Sequence, residues 1–303
     1  MKKALTIDKR VEKRKRRNNL IAYSFIAPNF IGFAVFTLIP IVIAFYMAFC
    51  QWDGSNPAKF IGIDNFLNLT KDTFFVNALL NTFLYCIGTV PLTMIISLGL
   101  AILLNQKIKG RGIIRAIACF PYVGSIIAVT TVWRMLFHPT KGPVNTILFD
   151  LFQSDTLPQW FSGRLIIVSY ILFSLWKSMG YYMVIYLAGL QGISNELYEA
   201  AELDGAGKWQ KFRYVTWPQL RPTTFFVVII LTIGCFKIYD TAVLLSGTNN
   251  MSTNSMVLVS FIYSKAFVNW DLGYASAAAI CLFLIVLIVT LIQFKNESKF
   301  AND

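Results

Sequence analysis

Two runs of residues carry no charged side chain at all: Asn18–Trp52, 35 residues long, and Thr73–Gln106. Each exceeds the roughly 20 residues with which a helix crosses the hydrocarbon core of a bilayer. Helices can do so because they satisfy every backbone N–H and C=O within the segment. Composition points the same way. The 303 residues are 56% apolar and 14% charged, with a mean hydropathy of +0.59, against about 25% charged in soluble domains. So few charges cannot cover a soluble surface, and the same figures exclude disorder, collagen and coiled coil. The chain reads as all-α and polytopic.

A cleaved signal peptide is not indicated, because its apolar core would be about 7–15 residues long. Met47-Ala48-Phe49-Cys50 fails as a lipobox, since bulky Phe49 stands where a small residue is needed. The five cysteines lie in or at the ends of apolar runs without CxxC spacing, and read as small packing residues.

Six spans are expected. They are about Ile21–Phe49, tilted or kinked at Pro40; about Asn77–Leu104, with Pro91 inside; and Ala116–Leu136. Then come about Leu165–Leu190, interrupted by Lys177; Thr223 to about Leu245, carrying Lys237 and Asp240; and Leu272–Phe294. Ser246–Ser255 is polar and turn-like, and Met256–Phe267 is apolar but too short to span, so it reads as a surface or re-entrant helix. The net charge of +12 would suggest nucleic acid in a soluble chain, but its distribution argues otherwise. Nine of the 27 Lys/Arg lie in the first 17 residues, and with six spans 19 fall on one side of the membrane and 6 on the other. The excess of positive charge marks the cytoplasmic side, which takes both termini and the Lys107–Arg115 loop. The chain then divides into a basic tail 1–19, a first span with its external loop 20–76, a core 77–294 and a cytoplasmic tail 295–303.

The gap between spans four and five differs from the rest. Ser194 can cap a helix with Glu196 in its first turn; Glu199, Ala200 and Ala201 favour that helix, and Gly205 and Gly207 can stop it. Trp209, Phe212 and Tyr214 then fall on a second short helix that Pro218 is expected to end. Small residues, aromatics and balanced charge suit docking into a protein groove. The alternative is an amphipathic helix on the membrane, which the loop's four acids disfavour beside anionic lipid.

Glu199-Ala200-Ala201, Gly205 and Val215-Thr216-Trp217-Pro218, at this spacing, resemble the EAA loop of bacterial ABC importer permeases. Val215 and Trp217 depart from the family's Ile-x-Leu-Pro, though both are apolar. Asp204-Gly205-Ala206 resembles the carbohydrate branch. Phe60–Phe66, Lys109–Gly112, Trp133–Phe137, Leu187–Gln191 and Gly273–Ala277 resemble segments of the maltose and glycerol-3-phosphate type. The resemblance implies a type I importer permease fold and an ATP-driven importer subunit for a sugar or oligosaccharide in the bacterial cytoplasmic membrane. It implies a second permease subunit, a different chain in most of the family, together with two cytoplasmic ATPases that use ATP and Mg and an external solute-binding protein. The loop, with Glu199, Ala200, Ala201, Asp204, Gly205, Ala206, Phe212 and Pro218, would enter a cleft on the ATPase. The chain has no GxxxxGK[ST] phosphate loop, so its energy comes from a partner.

Lys177 lies in the middle of span four, where a lysine costs about 2.5–3.5 kcal/mol on insertion scales. It must face a cavity, pair or snorkel. Trp176, Lys177, Ser178, Tyr181 and Tyr182 cluster there and suit a sugar path, and in the family the corresponding segment lines the mid-membrane cavity. The alternative is a packing role for the aromatics and an ion pair for Lys177. Lys237 and Asp240, at i and i+3, can pair on one helix, in a segment that resembles one near the family's pathway. No Asp/Glu/His relay crosses the other spans, which weakens an ion- or proton-coupled secondary transporter. A permease for glycerol-3-phosphate or another polar solute is a further alternative. His138 is the only histidine and reads as a solvated loop residue, so no metal site, catalytic residue or membrane-embedded enzyme is indicated.

Overall fold

The computed structural model describes residues 2–106, 108–153, 157–247 and 252–300, with only the backbone described for 2–14 and 298–300. Helix α1 runs Lys2–Phe33, passes through a π turn at Ala34–Leu38 and continues as α2, Ile39–Met47. In that turn the Ile39 N–H reaches back five residues to the Ala34 carbonyl. Pro40 follows at once, so the expected kink takes the form of a wide turn that absorbs the proline's missing N–H. The helix is continuous through residue 19, so the basic tail is not set off by a break; Met1 lies outside the described residues.

A two-stranded hairpin, β1 (Cys50–Gln51) with β2 (Lys59–Phe60), and α3 (Asp64–Lys71) form the following loop. Asp72 then caps α4 (Thr73–Asn105), its carboxylate accepting the Phe74 N–H at 2.9 Å and the Phe75 N–H at 3.4 Å. Helix α4 buries Ala78, Thr82, Cys86, Thr89, Thr93, Ser97 and Ala101, while Leu80, Leu84, Ile87 and Ile95 stay exposed. That is the pattern of a helix in lipid: bulky apolar groups face outward, and small or hydroxylated residues let neighbouring backbones close in.

Helix α8 (Leu165–Gln191) lies parallel to α4. The Tyr85 hydroxyl donates to Ser174 Oγ at 2.8 Å, and Ser97 Oγ donates to the Met179 carbonyl at 3.0 Å twelve residues further on. On its other side α8 meets α5 (Arg111–Val123) at Gly180, where any Cβ would strike the Ala118 carbonyl oxygen. The third span, expected over Ala116–Leu136, is broken in its middle. Helix α5 and α6 (Ile126–Leu136) meet at 99°, because Pro121 removes a rung and Gly124 and Ser125 are extended. Of the Lys107–Arg115 loop, Lys107 lies outside the described residues, and Arg111 and Arg115 belong to α5.

The fifth span is also broken. Helix α12 (Arg221–Phe236) has 16 residues, about 24 Å at 1.5 Å per residue, and the chain resumes helix only at α13 (Asp240–Ser246). Among the described residues four unbroken helices reach span length, and counting α5 with α6 and the helical stretch 208–219 with α12 as one bent span each gives up to six. The sixth, α15 (Leu272–Phe300), continues six residues past the expected Phe294. The 295–303 tail is therefore helical as far as Phe300, with 301–303 outside the described residues.

The apolar segment after α13 is no surface helix. Helix α14 (Leu258–Tyr263) and a π turn at Ser264–Val268 pack between α4 and α15, with Leu258 and Phe261 buried. Side chains of α4 and α8 tie down its entry. Asn81 Nδ2 donates to the Thr253, Asn254 and Met256 carbonyls, the Leu258 N–H to Thr82 Oγ1, and the Tyr170 hydroxyl to the Ala242 and Ser255 carbonyls. Of the preceding polar turn, 248–251 lie outside the described residues. An unexpected helix, α7 (Pro143–Phe152), fills the gap after α6. Asn145 anchors it, donating to the Pro139 and Pro158 carbonyls and accepting from Trp160 Nε1.

Candidate functional site

A cleft of about 160 Å³ opens between α4, α5, α8 and α12. Lys177 and Ser178 line it together with Tyr85, Ser174, Tyr122 and Tyr182. The ammonium of Lys177 sits 5.4 Å from the centre of the Tyr122 ring, and Tyr122 stacks on Tyr181 at 4.5 Å and 11°. A cation over an aromatic face is attracted by the ring quadrupole, which offsets part of the cost of a lysine at this depth. Ser178 Oγ donates to the Ser174 carbonyl at 2.5 Å, one turn back. Tyrosine faces, hydroxyls and an amine make a binding surface for a polar solute.

The expected residues divide here. Lys177 and Ser178 face the cleft, while Tyr181 stands behind it as the stacking support of Tyr122. Trp176 turns away into an aromatic cluster, 5.6 Å from Trp133 and 6.5 Å from Phe173. Lys237 and Asp240 do not pair: the helix ends at Phe236, Lys237 caps it, and Asp240 opens α13, both side chains being exposed. The i,i+3 argument failed because it assumed a continuous helix. Tyr122 was missed, since nothing near it in sequence carries charge. Tyr85 and Thr89 belong to the hydroxyl-rich face of α4, a pattern visible in the sequence.

The loop after α8 is two short helices locked across a turn. Helix α9 (Asn195–Leu203) is capped by Ser194, whose Oγ accepts the Glu196 N–H at 3.3 Å. It ends in a paired bond pattern in which the Gly205 N–H reaches the Glu202 carbonyl and the Ala206 N–H reaches that of Ala201. Gly205 takes φ +77, the left-handed position this motif requires. Helix α10 (Lys208–Lys211) starts with the Gly207 N–H bonded to Gln210 Oε1 at 2.7 Å, runs through a π turn at Phe212–Thr216 and reaches α11 (Trp217–Gln219). Pro218 therefore does not end the helix. It sits at the start of α11 after the wide turn, and the chain bends by 64° at Leu220 into α12. The Tyr198 hydroxyl bonded to Thr216 Oγ1 at 2.9 Å and the Glu202–Lys211 ion pair hold the two arms together.

Among the groups the loop leaves outside are three large apolar side chains. Leu203 is 90% exposed, Tyr214 74% and Trp209 72%. Glu199, Ala200, Asp204 and Gly205 share that exposure, Ala201 and Ala206 are half-buried, and Phe212 lies between Trp209 and Trp217. Three bulky apolar side chains left this exposed on one short, internally bonded loop suit contact with a partner surface.

Comparison with known proteins bears on both regions. The family model described as binding-protein-dependent transport system inner membrane component matches residues 13–301. The chain is 35% identical to the probable ABC transporter permease protein YesP of Bacillus subtilis, over 95% of this chain and 93% of that protein. It is 33% identical to the arabinooligosaccharides transport system permease protein AraP of the same organism, over 93% and 90% of the two chains. Its fold matches a chain of a bacterial ABC transporter involved in the import of the acidic polysaccharide alginate, with a TM-score of 0.83 and 24% identity over 96% of this chain and 99% of that one. The fold is that of the type I importer permeases, and the chain belongs to the binding-protein-dependent transport system inner membrane component family, as a multi-pass permease of the inner membrane.

Proposed function

We infer that this chain is one of two membrane-spanning subunits of an ATP-driven importer that passes a sugar or oligosaccharide inward by alternating access. The observation that carries this reading is the loop 194–219, a rigid turn that presents Glu199, Leu203, Trp209 and Tyr214 outward with no covering from its own chain. Docked into a cytoplasmic ATPase, that surface transmits closure of the ATPase to α8 and α12, the helices it joins. Glu199 accepts charge-assisted hydrogen bonds from an ATPase cation, and Phe212 and Pro218 stiffen the second arm. ATP and Mg belong to the partner ATPases; the second permease is a different chain, and an external solute-binding protein delivers the sugar. Both termini and the loop face the cytoplasm. The substrate class is supported by the arabinooligosaccharide relative and by the tyrosine and hydroxyl lining around Lys177.

Two measurements test this. Reporter fusions at His138 and Lys208 are expected to read opposite faces of the membrane. Vesicles of the assembled importer are expected to take up sugar only when loaded with ATP, and to keep doing so when an ionophore collapses the ion gradients. Uptake that needs the gradient and ignores ATP would replace this reading with a secondary transporter.

A further inference from the structure

The loop between the first two spans folds over the start of the last one. Asn65 ties the β1–β2 hairpin to the end of α2, its amide donating to the Ala48 and Cys50 carbonyls at 2.9 Å each. The Gly273 N–H donates to the Trp52 carbonyl at 3.1 Å, and only glycine fits there, since a Cβ would strike the Cys50 carbonyl oxygen. Trp52 and Trp270 thus line one cleft of about 380 Å³, within the range of about 300–1,000 Å³ typical of small-molecule sites.

Three features distinguish this cleft from a chance surface hollow. The Trp52 indole is fixed, its Nε1 donating to the Asn56 carbonyl at 2.7 Å. Trp270 adopts φ +55, a left-handed conformation that bulky side chains rarely take. Backbone bonds on both sides hold it there, from the Asn269 N–H to the Ser264 carbonyl and from the Asp271 N–H to the Lys265 carbonyl, each 2.9 Å. Yet the ring is 62% exposed, so burial is not what compensates the strain; backbone strain of this kind collects at functional sites. Finally, polar groups are left unspent. Among the described residues, the Lys59 ammonium and the Asn269 amide make no bond. Asp271 uses one carboxylate oxygen on the Tyr274 N–H and keeps the other free. Asp53, in contrast, commits both oxygens to the Ser55 and Asn56 N–H groups and the Asn56 amide, which holds its pKa down at about 2.

We propose that this cleft is a binding subsite for a neutral saccharide at the outer mouth of the path, separate from the cleft around Lys177. The proposal rests on the sugar-importer reading above and narrows it. Flat indole faces accept the C–H faces of a pyranose or furanose ring, while a free carboxylate oxygen, an amide and an ammonium accept and donate to its hydroxyls. Two carboxylates against one ammonium leave the cleft negative, which disfavours phosphates and uronates. The last span begins beside Asp72, whose carboxylate accepts from the Tyr274 hydroxyl at 3.1 Å. From Thr73, the start of α4, to Tyr85 is twelve residues, or about 18 Å along the helix at 1.5 Å per residue. One sugar ring cannot occupy both clefts, so a saccharide meets them in succession.

The test is saturation-transfer NMR on the assembled importer in nanodiscs, without binding protein. Maltotriose and arabinotriose serve as neutral probes, and glycerol-3-phosphate and trigalacturonate as anionic ones. At least one neutral trisaccharide is expected to receive transfer. Trp270→Gly keeps the left-handed backbone and is expected to cut it about 3- to 10-fold, the worth of one aromatic stacking contact. Trp270→Tyr is expected to retain most of it, and the same loss is expected in a Lys177→Ala background. Size exclusion reports that each variant still assembles. Equal transfer in the unaltered complex and in Trp270→Gly, while ATP-driven uptake continues, would overturn the subsite and leave the importer reading intact. Absence of ATP-driven sugar uptake by the unaltered complex would instead overturn the importer reading. No transfer to either neutral probe, or equally strong transfer to the anionic ones, would refute the proposal. So would loss of binding-protein capture by Trp270→Gly with saccharide transfer unchanged, which would make the cleft a protein contact.

Discussion

Helix α8 joins two regions built on opposite terms. At its middle, the cleft residues satisfy one another: Lys177 rests over Tyr122, Tyr122 stacks on Tyr181, and Tyr85, Ser174 and Ser178 are linked by hydrogen bonds. Beyond its end, the loop 194–219 is rigid within itself but leaves Leu203, Trp209 and Tyr214 facing outward. Contacts within this chain hold the cleft residues in place, whereas the loop's large apolar side chains stay largely exposed. A region held by its own contacts should lose stability when altered, whereas a region that awaits a partner should lose the partner and keep its fold.

The sharpest contrast is between two glycines. At Gly180 a Cβ meets the Ala118 backbone, which has no side chain to swing aside; at Gly205 it meets nothing within 4 Å. Gly180→Val is expected to cost about 3 kcal/mol or more and to remove the monodisperse peak of the purified protein in detergent. An intact peak at wild-type melting temperature would mean the α5–α8 crossing is looser than described. Next in size, Gly205→Asp and Glu199→Lys are expected to leave that peak in place while weakening ATPase capture about 10- to 1,000-fold, the range for a buried cation left unpaired. Gly205→Asp adds only about 1 kcal/mol of left-handed backbone cost, so unfolding of either variant would erase the contrast. Pull-down from detergent extracts, with ATP turnover beside it, reads both quantities.

Smaller effects are expected inside the cleft. Tyr122→Leu removes a cation–π contact and a stacking partner, together about 1–2 kcal/mol, and is expected to lower the melting temperature of the purified protein and, because Lys177 loses its support, to raise the KM for sugar uptake. Lys177→Ala is expected to raise that KM as well, with ATPase capture unchanged. Wild-type KM in both would take them out of the path. Smallest of all, a double-mutant cycle on Lys237→Ala and Asp240→Ala is expected to give a melting-temperature coupling below about 0.5 kcal/mol, because the break between α12 and α13 separates the two groups. A larger coupling would restore the i,i+3 pair.

Legibility in the sequence followed the range of the interactions involved. The capped turn at Ser194 and Gly205 could be read because a cap and a left-handed glycine act over a few residues, and the long spans because lipid imposes one length on them. The break at Lys237 was hidden, since an apolar run looks the same whether the helix in it is straight or bent, whereas the break at Gly124 had a local sign in Pro121 and Gly124 that the apolar run around them overrode. Trp176 and Tyr181 were close to Lys177 in sequence, yet neither reaches the cleft beside it, and its true neighbour Tyr122 comes from another span. The burial of α14 rests on Asn81, Thr82 and Tyr170, distant residues whose amide and hydroxyls have no local signature.

The parallel pairing of α4 with α8 also sets a timetable for biogenesis. Tyr85 and Ser174 are 89 residues apart in the chain, so at about 5–20 residues per second of synthesis α4 emerges some seconds before its main neighbour exists. Through that interval its hydroxyl-bearing face must tolerate lipid unaided. Thr82 shows how, its Oγ1 donating to the Ala78 carbonyl of its own helix at 2.7 Å. A hydroxyl that can bond back to its own helix lets α4 wait in the bilayer alone, and the late arrival of α8 then exchanges lipid contacts for helix contacts.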